Sequence, residues 1–454
     1  MEKVVIYAAY PLWRKNSLVG FARAKELQDE GNDVTVAYCA AKCGTCICNQ
    51  MGNPVVCGIC RTTTRLTAKR LGLNAVPLEI DSESTSNCLD ISFSERKELV
   101  EGVLSGLISV FRILPKDIKR HRLLRILKRR SYRTAVGLLR QLKSLMARTR
   151  PDRFEVFNGR HACSKAGLLA AKSFIIPYYT LEVTSRRRPI IHRGYTAHDR
   201  VGVQQRILSQ PVDMELATQF YENRKRPQNN RFAKHHSSRF VLPSTDGFDR
   251  LVTVFLSSQD EFASLGKSWR STFDEDHAVI GRLCRRFPKS LFCIRFHPNQ
   301  GGIKSDITSE FQKLGELPNV TVYYPHDPAN TYDLINGSDV VVVFNSTVAA
   351  EACWAGKPVI MIGPSFYDRL DVGYTPTDED ELQQLLDIPN LAVKDRQNAA
   401  RLAHYLLKDG DQMKYIRVDN AEMTADGAPR SLPVLTVMAR HFNTLTSEAV
   451  KPFV

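Results

Sequence analysis

A polar turn, Asn345-Ser346-Thr347, interrupts an apolar stretch in the last third of the chain. The β-branched run 340–344 before it is typical of a strand buried on both faces, and the sequence VAAEACWA after it favours a helix. Parallel sheets bind ligands beyond the carboxyl ends of their strands, where helix N-termini offer free N–H groups to anions. Glu351 follows about one helical turn after Thr347 and can face the same ligand. The pattern fits an anion site and, equally well, an ordinary crossover in which Ser346 and Thr347 only cap the helix.

Two more polar strand ends are expected in the same half of the chain. The apolar run 250–256 ends at Ser257-Ser258, shortly before Glu261, and the run 290–296, which contains Arg295, ends at His297-Pro298. Three polar strand ends in one predicted sheet favour a nucleotide site over coincidental capping.

The N-terminal half carries a second group of polar side chains at predicted strand ends. Asn158-Gly159-Arg160 follows a strand that begins at 153, and Glu182 ends the next strand, 177–181. These residues place an amide, a guanidinium and a carboxylate at one sheet edge. Arg160 and Glu182 either form an ion pair or take part in catalysis.

Cysteines are concentrated in one short segment. Six of the eleven lie between positions 39 and 60, namely Cys39, Cys43, Cys46, Cys48, Cys57 and Cys60. The CxxC spacing at the end of this segment lets two thiolates bind one tetrahedral ion at about 2.3 Å. Cys39 and Cys43 compete as the first further ligand, and Cys46 and Cys48 as the second. A structural zinc is preferred to an iron–sulfur cluster because nothing else indicates electron transfer; thiols without a metal are the remaining alternative.

The elements around these residues predict an α/β protein. A strand over 3–10, a helix capped by Ser17 and a strand over 33–38 form a βαβ opening, but no GxGxxG follows the first strand to support a dinucleotide site. A chain of 454 residues is too long for one core. We expect an N-terminal domain over 1–245, with the cysteine-rich insert 39–60 and a basic helical segment over about 96–150, a second domain over 246–420, and a C-terminal helix over 421–454 that packs back.

Charge is distributed unevenly. The net charge is +15, and residues 116–150 contain thirteen Lys or Arg against one acid, Asp117. The apolar residues in this segment recur at helical spacing. Three interpretations compete: a solvated helix face, a contact for anionic lipid headgroups, and a binding site for nucleic acid or another polyanion. Tyr132 is its only aromatic residue, which argues against base stacking, and no nucleic acid is expected.

No apolar run reaches the roughly 20 residues of a membrane span, and the N-terminus does not read as a signal peptide. We therefore expect a cytoplasmic protein, at most peripheral at the inner face of the plasma membrane.

Several of these motifs together resemble bacterial capsule and surface-polysaccharide glycosyltransferases of the GT-B fold. The resemblance rests on Ser257-Ser258-x-Asp260-Glu261, Arg295-x-His297-Pro298-Asn299 and the Asn345-Ser346-Thr347 turn with Glu351. In the first half it adds Phe157-Asn158-Gly159-Arg160, Glu182 and the spacing Cys39-x6-Cys46-x10-Cys57-x2-Cys60, which selects these four cysteines as the zinc ligands. It covers roughly residues 3–375 and is weak over 96–150. The fold it implies is GT-B-like, with two doubly wound Rossmann-type domains facing a cleft.

The resemblance also implies roles. In related Kdo- and sialyltransferase-like enzymes, a His-Pro motif contacts the nucleotide of a CMP-sugar and a Ser-Ser/Thr motif binds its phosphate. These roles fall on His297 and on Ser346-Thr347, with Glu351 on the ribose; the Asn-Ser-Thr variant leaves a UDP or GDP donor open. Ser257, Ser258, Arg295 and Asn345 complete the donor side. Glu182 is the preferred base, Glu261 is the second candidate, and Arg160 is the third catalytic residue. Asn158 belongs to the acceptor side. The acceptor is a glycan or lipid-linked glycan, and no catalytic metal is expected.

Three other functions remain open. A nucleotide-sugar epimerase or a polyol-phosphate transferase can use the same fold, and turnover without an acceptor separates an epimerase from a transferase. A zinc-containing nucleic-acid-binding protein is the non-enzymatic alternative, and salt-sensitive RNA or DNA binding without nucleotide-sugar binding would favour it.

Overall fold

The computed structural model describes residues 1–40, 44–78, 90–226, 240–271, 273, 275–303, 307–419 and 422–425. The chain divides into two compact units. The first comprises residues 1–199 together with 409–454, and the second comprises residues 200–408. Each unit is built on its own sheet and has its own hydrophobic core.

The first unit is a doubly wound α/β domain. Its sheet has the strand order β3-β2-β1-β4-β5-β6 and is parallel except for β6, which runs antiparallel to β5. Its elements in chain order are β1 (Lys3–Ala8), α1 (Arg14–Asp29), β2 (Asp33–Cys39), α2 (Pro54–Arg70), β3 (Asn74–Leu78), α3 (Phe93–Phe111), α4 (Pro115–Arg120), α5 (Arg122–Thr149), β4 (Arg153–Phe157), α6 (Ala162–Ser173), β5 (Tyr178–Val183) and β6 (Pro189–Arg193).

The basic segment of the first unit is helical, as expected. Helix α5 places one face in the core and packs on α3 and α6. One cation of this segment is buried as well, since Lys143 Nζ lies 2.6 Å from a carboxylate oxygen of Glu95. Glu95 also completes the N-terminal capping box of α3 with Ser92, which fixes where that helix begins.

The second unit repeats the arrangement with an all-parallel sheet of order β11-β10-β7-β8-β9. Strand β10, VVVV, is buried at every position, as its sequence predicts. The elements are α7 (Arg200–Leu208), α8 (Met214–Lys225), β7 (Arg250–Phe255), α9 (Gln259–Ala263), α10 (Asp276–Arg286), β8 (Ser290–Arg295), α11 (Ile307–Leu314), β9 (Val320–Tyr323), α12 (Thr331–Gly337), β10 (Val340–Val343), α13 (Val348–Trp354), β11 (Val359–Met361), α14 (Glu379–Asp387) and α15 (Gln397–Lys408).

Both sheets therefore have the Rossmann strand order, which confirms the α/β class with two doubly wound domains. In such sheets the winding reverses between two neighbouring strands, and the loops that leave them diverge and open a crevice. This switch point lies between β1 and β4 in the first unit and between β7 and β10 in the second. The loops after these four strands are where the fold leaves room for ligands.

The division between the units differs from the boundary expected at 245–246, because α7 and α8 pack on α15 of the second unit. Tyr221 in α8 donates its hydroxyl to the carbonyl of Ala399 at 2.9 Å and stacks on Trp354 with ring centroids 5.0 Å apart. The polar composition of residues 200–245 predicts polar helix and linker, because the few apolar residues that make these contacts form no clear pattern in the sequence. Residues 409–419 rejoin the first unit, where Asp411 accepts a hydrogen bond from the Ile191 backbone at 2.6 Å.

Three further expectations about local structure are wrong. The basic sequence over 184–200 predicts an irregular segment, but this range contains β6, whose backbone pairs with β5. Ser17 lies inside α1, which begins at Arg14, and does not cap it. Within the helix expected over 421–454, residues 422–425 form strand β13 (Glu422–Ala425), paired with β12 (Ile416–Asp419); the rest of that range lies outside the described residues.

No helix among the described residues combines the length and apolar composition needed to cross a bilayer.

Candidate functional site

The switch point of the second unit brings two predicted motifs into direct contact. Ser257 follows β7 and Asn345 follows β10, and the Asn345 backbone N–H donates to Ser257 Oγ at 3.0 Å. The Asn345 side-chain amide donates to the Pro364 carbonyl beyond β11. The first residue of the Asn-Ser-Thr turn is thus fixed to both neighbouring strand ends, and the Ser346-Thr347 turn is held at the sheet edge.

The Ser346-Thr347 turn begins the short helix α13. Ser346 Oγ accepts from the Val348 N–H at 3.3 Å, and the buried Tyr367 donates its hydroxyl to the Ser346 carbonyl. Gly363 allows this close packing, since a Cβ there would lie 2.6 Å from the Phe344 carbonyl oxygen. Gly356 ends the helix at φ +75°, as its sequence predicts. Capping accounts for one bond of Ser346, so capping and anion binding remain compatible.

Glu351 is buried, and its carboxylate is held by two partners of the same unit. Oε1 accepts from Nε and NH2 of Arg224 at 3.1 and 2.7 Å, and Oε2 accepts from the Tyr332 hydroxyl at 2.7 Å. Arg224 NH2 also lies 3.4 Å from Thr347 Oγ1. The Glu351 carboxylate strongly raises the pKa of Arg224, which stays charged. The structure therefore places a guanidinium beside the Ser-Thr turn, and no motif in the sequence indicates this contact.

The remaining predicted residues of the second unit lie near the ends of β7 and β8. His297 and Glu261 border the turn after β8: His297 Nδ1 accepts from the Asn299 backbone at 3.1 Å, and the Asn299 side chain donates to Glu261 Oε1 at 2.7 Å. An accepting Nδ1 assigns the proton of a neutral imidazole to Nε2, which is then a hydrogen-bond donor. Ser258 lies in the same region but is buried, and its hydroxyl donates to Asp260 Oδ1 at 2.7 Å.

Arg295 has a different position from the one expected. Its side chain is 3% exposed, and its guanidinium donates to the backbone carbonyls of Tyr324 and Asp327 in the turn after β9. Burial lowers the pKa of this guanidinium. These contacts join two strand ends, so Arg295 holds the sheet edge together. The guanidinium beside the Ser-Thr turn is that of Arg224.

In the first unit, Asn158 and Glu182 lie together at the ends of β4 and β5. Asn158 Nδ2 donates to Glu182 Oε2 at 2.5 Å, and the Val183 N–H donates to Oε1 at 3.0 Å. Asn158 adopts a left-handed conformation, φ +63°, which turns its side chain toward Glu182. Burial raises the pKa of Glu182, although these hydrogen bonds and the Arg160 charge act in the opposite direction. A raised pKa makes this carboxylate a better proton acceptor than an exposed glutamate.

Arg160 does not pair with Glu182, because no ion pair within 4.0 Å joins these two described residues. Its NH2 contacts Ser109 Oγ at 3.4 Å and His161 Nε2 at 3.2 Å, while its buried Nε has no hydrogen-bond partner. The His161 Nδ1 lies 3.3 Å from Ser105 Oγ. A buried N–H without a partner is unfavourable, because it has lost its hydrogen bonds to water.

Two histidines of this group were not identified from the sequence. His198 Nε2 lies 3.4 Å from Asn158 Nδ2, and His161 contacts Arg160. Burial and the Arg160 charge lower the pKa of His198 to about 3 and that of His161 well below its ordinary value. Both imidazoles are neutral at physiological pH and act as hydrogen-bonding groups. The only signals in the sequence are their positions: His161 directly follows the Asn158-Gly159-Arg160 turn, and His198 follows a basic stretch.

The cysteine-rich segment and helix α6 converge on a cavity of the first unit. All four preferred zinc ligands line it, and two more thiols join them: Cys39, Cys46, Cys57, Cys60, Cys48 and Cys163. Cys57 and Cys60 lie within α2, which begins at Pro54, whereas the sequence pattern predicts a helix only over 64–71. Because they are three residues apart on one helix face, both thiols still reach the cavity. Cys43 lies outside the described residues.

The cavity has the right donor chemistry for zinc. Burial and the neighbouring thiols raise the pKa of Cys57 and Cys60. A bound cation would stabilise the thiolates and lower these pKa values. Asn49 Nδ2 donates to Cys57 Sγ at 3.1 Å, as outer-sphere groups do to thiolate ligands. The described residues contain no group of three or more His, Cys, Asp or Glu arranged to hold a metal ion, so their spacing is not that of a coordination sphere. The zinc site stays a prediction.

One family model matches the sequence, and the match lies within the second unit. Residues 249–395 match the family model of capsule polysaccharide biosynthesis proteins. This range contains the sheet β7–β11 and every predicted donor-side residue from Ser257 to Glu351. No curated protein matches the chain in sequence.

Among solved structures, similarity is low in identity and in TM-score. A UDP-GlcNAc 2-epimerase of Neisseria meningitidis is 13% identical with a TM-score of 0.27, over 89% of this chain and 99% of its own. The KpsC β-Kdo 2,7-transferase of Thermosulfurimonas dismutans is 15% identical with a TM-score of 0.38, over 68% of this chain and 89% of its own. The fold assignment therefore rests on the strand order.

Proposed function

We propose that this protein is a glycosyltransferase that moves a sugar from a nucleotide-activated donor to a growing surface glycan, such as a capsule polysaccharide. One observation carries the proposal. The region similar to capsule polysaccharide biosynthesis proteins coincides with the sheet whose switch point joins Ser257 to the Asn345-Ser346-Thr347 turn. A crevice of this kind is where doubly wound sheets bind nucleotides.

On the donor side, the second unit stabilises the departing nucleotide. Glycosyl transfer leaves negative charge on the phosphate as the bond to the sugar breaks. Backbone N–H groups and hydroxyls of the Ser346-Thr347 turn meet that charge, and the Arg224 guanidinium beside Thr347 adds a positive charge. His297, with its proton on Nε2, donates to the nucleotide. Because Glu351 is bound to Arg224, its role is to orient this guanidinium and not to hold a ribose directly.

On the acceptor side, Glu182 is the base that removes the proton of the attacking hydroxyl. The buried carboxylate has a raised pKa, which brings it closer to the pH at which it works. Asn158 fixes its orientation, and the guanidinium of Arg160 supplies a positive charge for a polar group of the acceptor. A base acting on the acceptor is what inverting transfer requires. The chemistry uses no catalytic metal, and the proposed zinc is structural.

Thermal unfolding of the full chain with CMP, CDP, UDP and GDP tests the donor site. One of them should raise the Tm, because a ligand at 100 times its Kd stabilises the folded state by about 2.7 kcal/mol. The substitution His297→Ala should abolish that shift, whereas His277→Ala, on helix α10, should preserve it. A shift unchanged in His297→Ala contradicts the proposed nucleotide contact. Conversion of a nucleotide sugar into its epimer without an acceptor would contradict a transferase.

A further inference from the structure

Helix α5 presents a stripe of arginines on the surface of the first unit. Five exposed arginines recur at intervals of three, four, four and seven residues and share one face of the helix: Arg122, Arg125, Arg129, Arg133 and Arg140. Arg130 is exposed beside them. A helix of 28 residues is about 42 Å long, so the charges form an extended line.

The stripe has no acidic counterpart among the described residues. None of its arginines lies within 4.0 Å of a described carboxylate, in contrast to Arg282 in α10, which pairs with Glu379 at 2.7 Å. The single acid of the segment, Asp117, lies in the first turn of helix α4 and accepts a hydrogen bond from the Leu114 backbone at 2.8 Å. Lys119 and Arg120 of α4 extend the charge at the N-terminal end of the stripe.

The apolar face of α5 is already occupied. Leu124, Leu127, Leu138, Leu142 and Met146 are each at most 2% exposed. The last three belong to the main core cluster of the unit. Ile126 is the only large apolar side chain of the helix that is exposed, at 37%. The helix therefore cannot insert an apolar face into a bilayer, and any binding through its outer face is electrostatic.

The chemistry of the stripe favours a flat anionic surface over other polyanions. Single-stranded nucleic acid is bound through aromatic stacking, but the only aromatic residue of α5, Tyr132, packs against the core. A protein partner needs an apolar centre in the interface, and Ile126 alone does not provide one. A line of arginines with little apolar surface matches phospholipid headgroups, which attract each basic residue independently.

We propose that the arginine stripe of α5 docks the protein on membranes rich in anionic phospholipid. Neither the proposed zinc nor the proposed glycosyl transfer is needed for this docking. It would bring the first unit to the surface where lipid-linked acceptors reside, and it depends on ionic strength because exposed charges are screened within about 8 Å in physiological salt.

Flotation of the full chain with vesicles tests the proposal. We expect binding to vesicles of phosphatidylcholine with 30% phosphatidylglycerol, none to phosphatidylcholine alone, and release in 0.5 M NaCl. The variant Arg122→Gln/Arg129→Gln/Arg133→Gln should bind about 10- to 100-fold more weakly. The control Arg282→Gln/Arg285→Gln/Arg286→Gln removes the same net charge from exposed positions of α10 and should bind like the wild type.

Equal weakening in both variants would overturn the proposal, since it would show a response to net charge alone. Absence of wild-type binding to the anionic vesicles would overturn it too, as would tight RNA binding that the stripe variant loses while vesicle binding is retained. Both variants change only exposed side chains, and an unchanged Tm would show that they are folded. A nucleotide-induced Tm shift retained in the stripe variant would separate membrane docking from the donor site.

Discussion

The guanidinium of Arg224 binds the buried carboxylate of Glu351 through Nε and NH2, across 127 positions of sequence. Glu351 is 5% exposed at its side chain and Arg224 is 30% exposed. The pair fixes a positive charge beside Thr347 and anchors helix α8 to helix α13 within the second unit. The same ion pair therefore stabilises the second unit and positions a charged group of its candidate donor site.

Removal of Arg224 should destabilise the second unit markedly. Arg224→Ala leaves Glu351 buried with only the Tyr332 hydroxyl, and the loss of one partner from a buried pair costs about 2–4 kcal/mol after allowance for the exposure of Arg224. Urea unfolding measures the change. The matched control is Arg282→Ala, which breaks the more exposed pair with Glu379 and should cost about 0–1 kcal/mol. Equal small losses in both variants would show that the Arg224–Glu351 pair is not effectively buried.

The fold and the strand-end motifs followed from the sequence because they depend on local patterns. The uninterrupted apolar runs predicted parallel strands, and polar residues at their ends predicted the edge where Ser257 and Asn345 meet. Arg224 was missed since its partner is distant in sequence and its neighbours are charged. Arg295 was misplaced because a basic residue at a strand end looks like a ligand, whereas only the course of the turn after β9 reveals the carbonyls that it binds.

Glu182 should make the stability of the protein depend on pH in a specific direction. Burial raises its pKa in the folded state above the value of 4.5 for a solvated glutamate, so the folded state holds the proton more tightly than the unfolded state. The ionised carboxylate is then a cost, and stability falls as pH rises from about 4.5 through the folded pKa. Glu182→Gln lacks this cost. The Tm of the variant minus that of the wild type should therefore increase over this pH range.

The control for this measurement is Glu30→Gln, which removes one carboxylate from an exposed position. A Tm difference for Glu182→Gln that does not change with pH would contradict the burial of its charge. The same variant tests the catalytic role: nucleotide binding should persist while transfer to an acceptor falls by at least about 100-fold, the range of general-base effects.

The cysteine cavity should hold about one zinc per chain. Elemental analysis of protein purified without chelator should detect it, and Cys57→Ser/Cys60→Ser should remove it because both thiols line the cavity. The control Cys284→Ala/Cys293→Ala changes two buried thiols of the second unit and should retain the metal. Iron with visible absorbance would instead identify an iron–sulfur cluster, and the absence of metal would contradict the site.

The position of the nucleotide is the central claim, and hydrogen–deuterium exchange of the full chain tests it most directly. Spectra are compared without ligand and with saturating CMP, CDP, UDP or GDP. The account predicts that at least one nucleotide slows exchange in the backbone segments 255–262, 296–300 and 344–350, the turns after β7, β8 and β10. Protection confined to residues 1–199, or no protection by any of the four nucleotides, would contradict it.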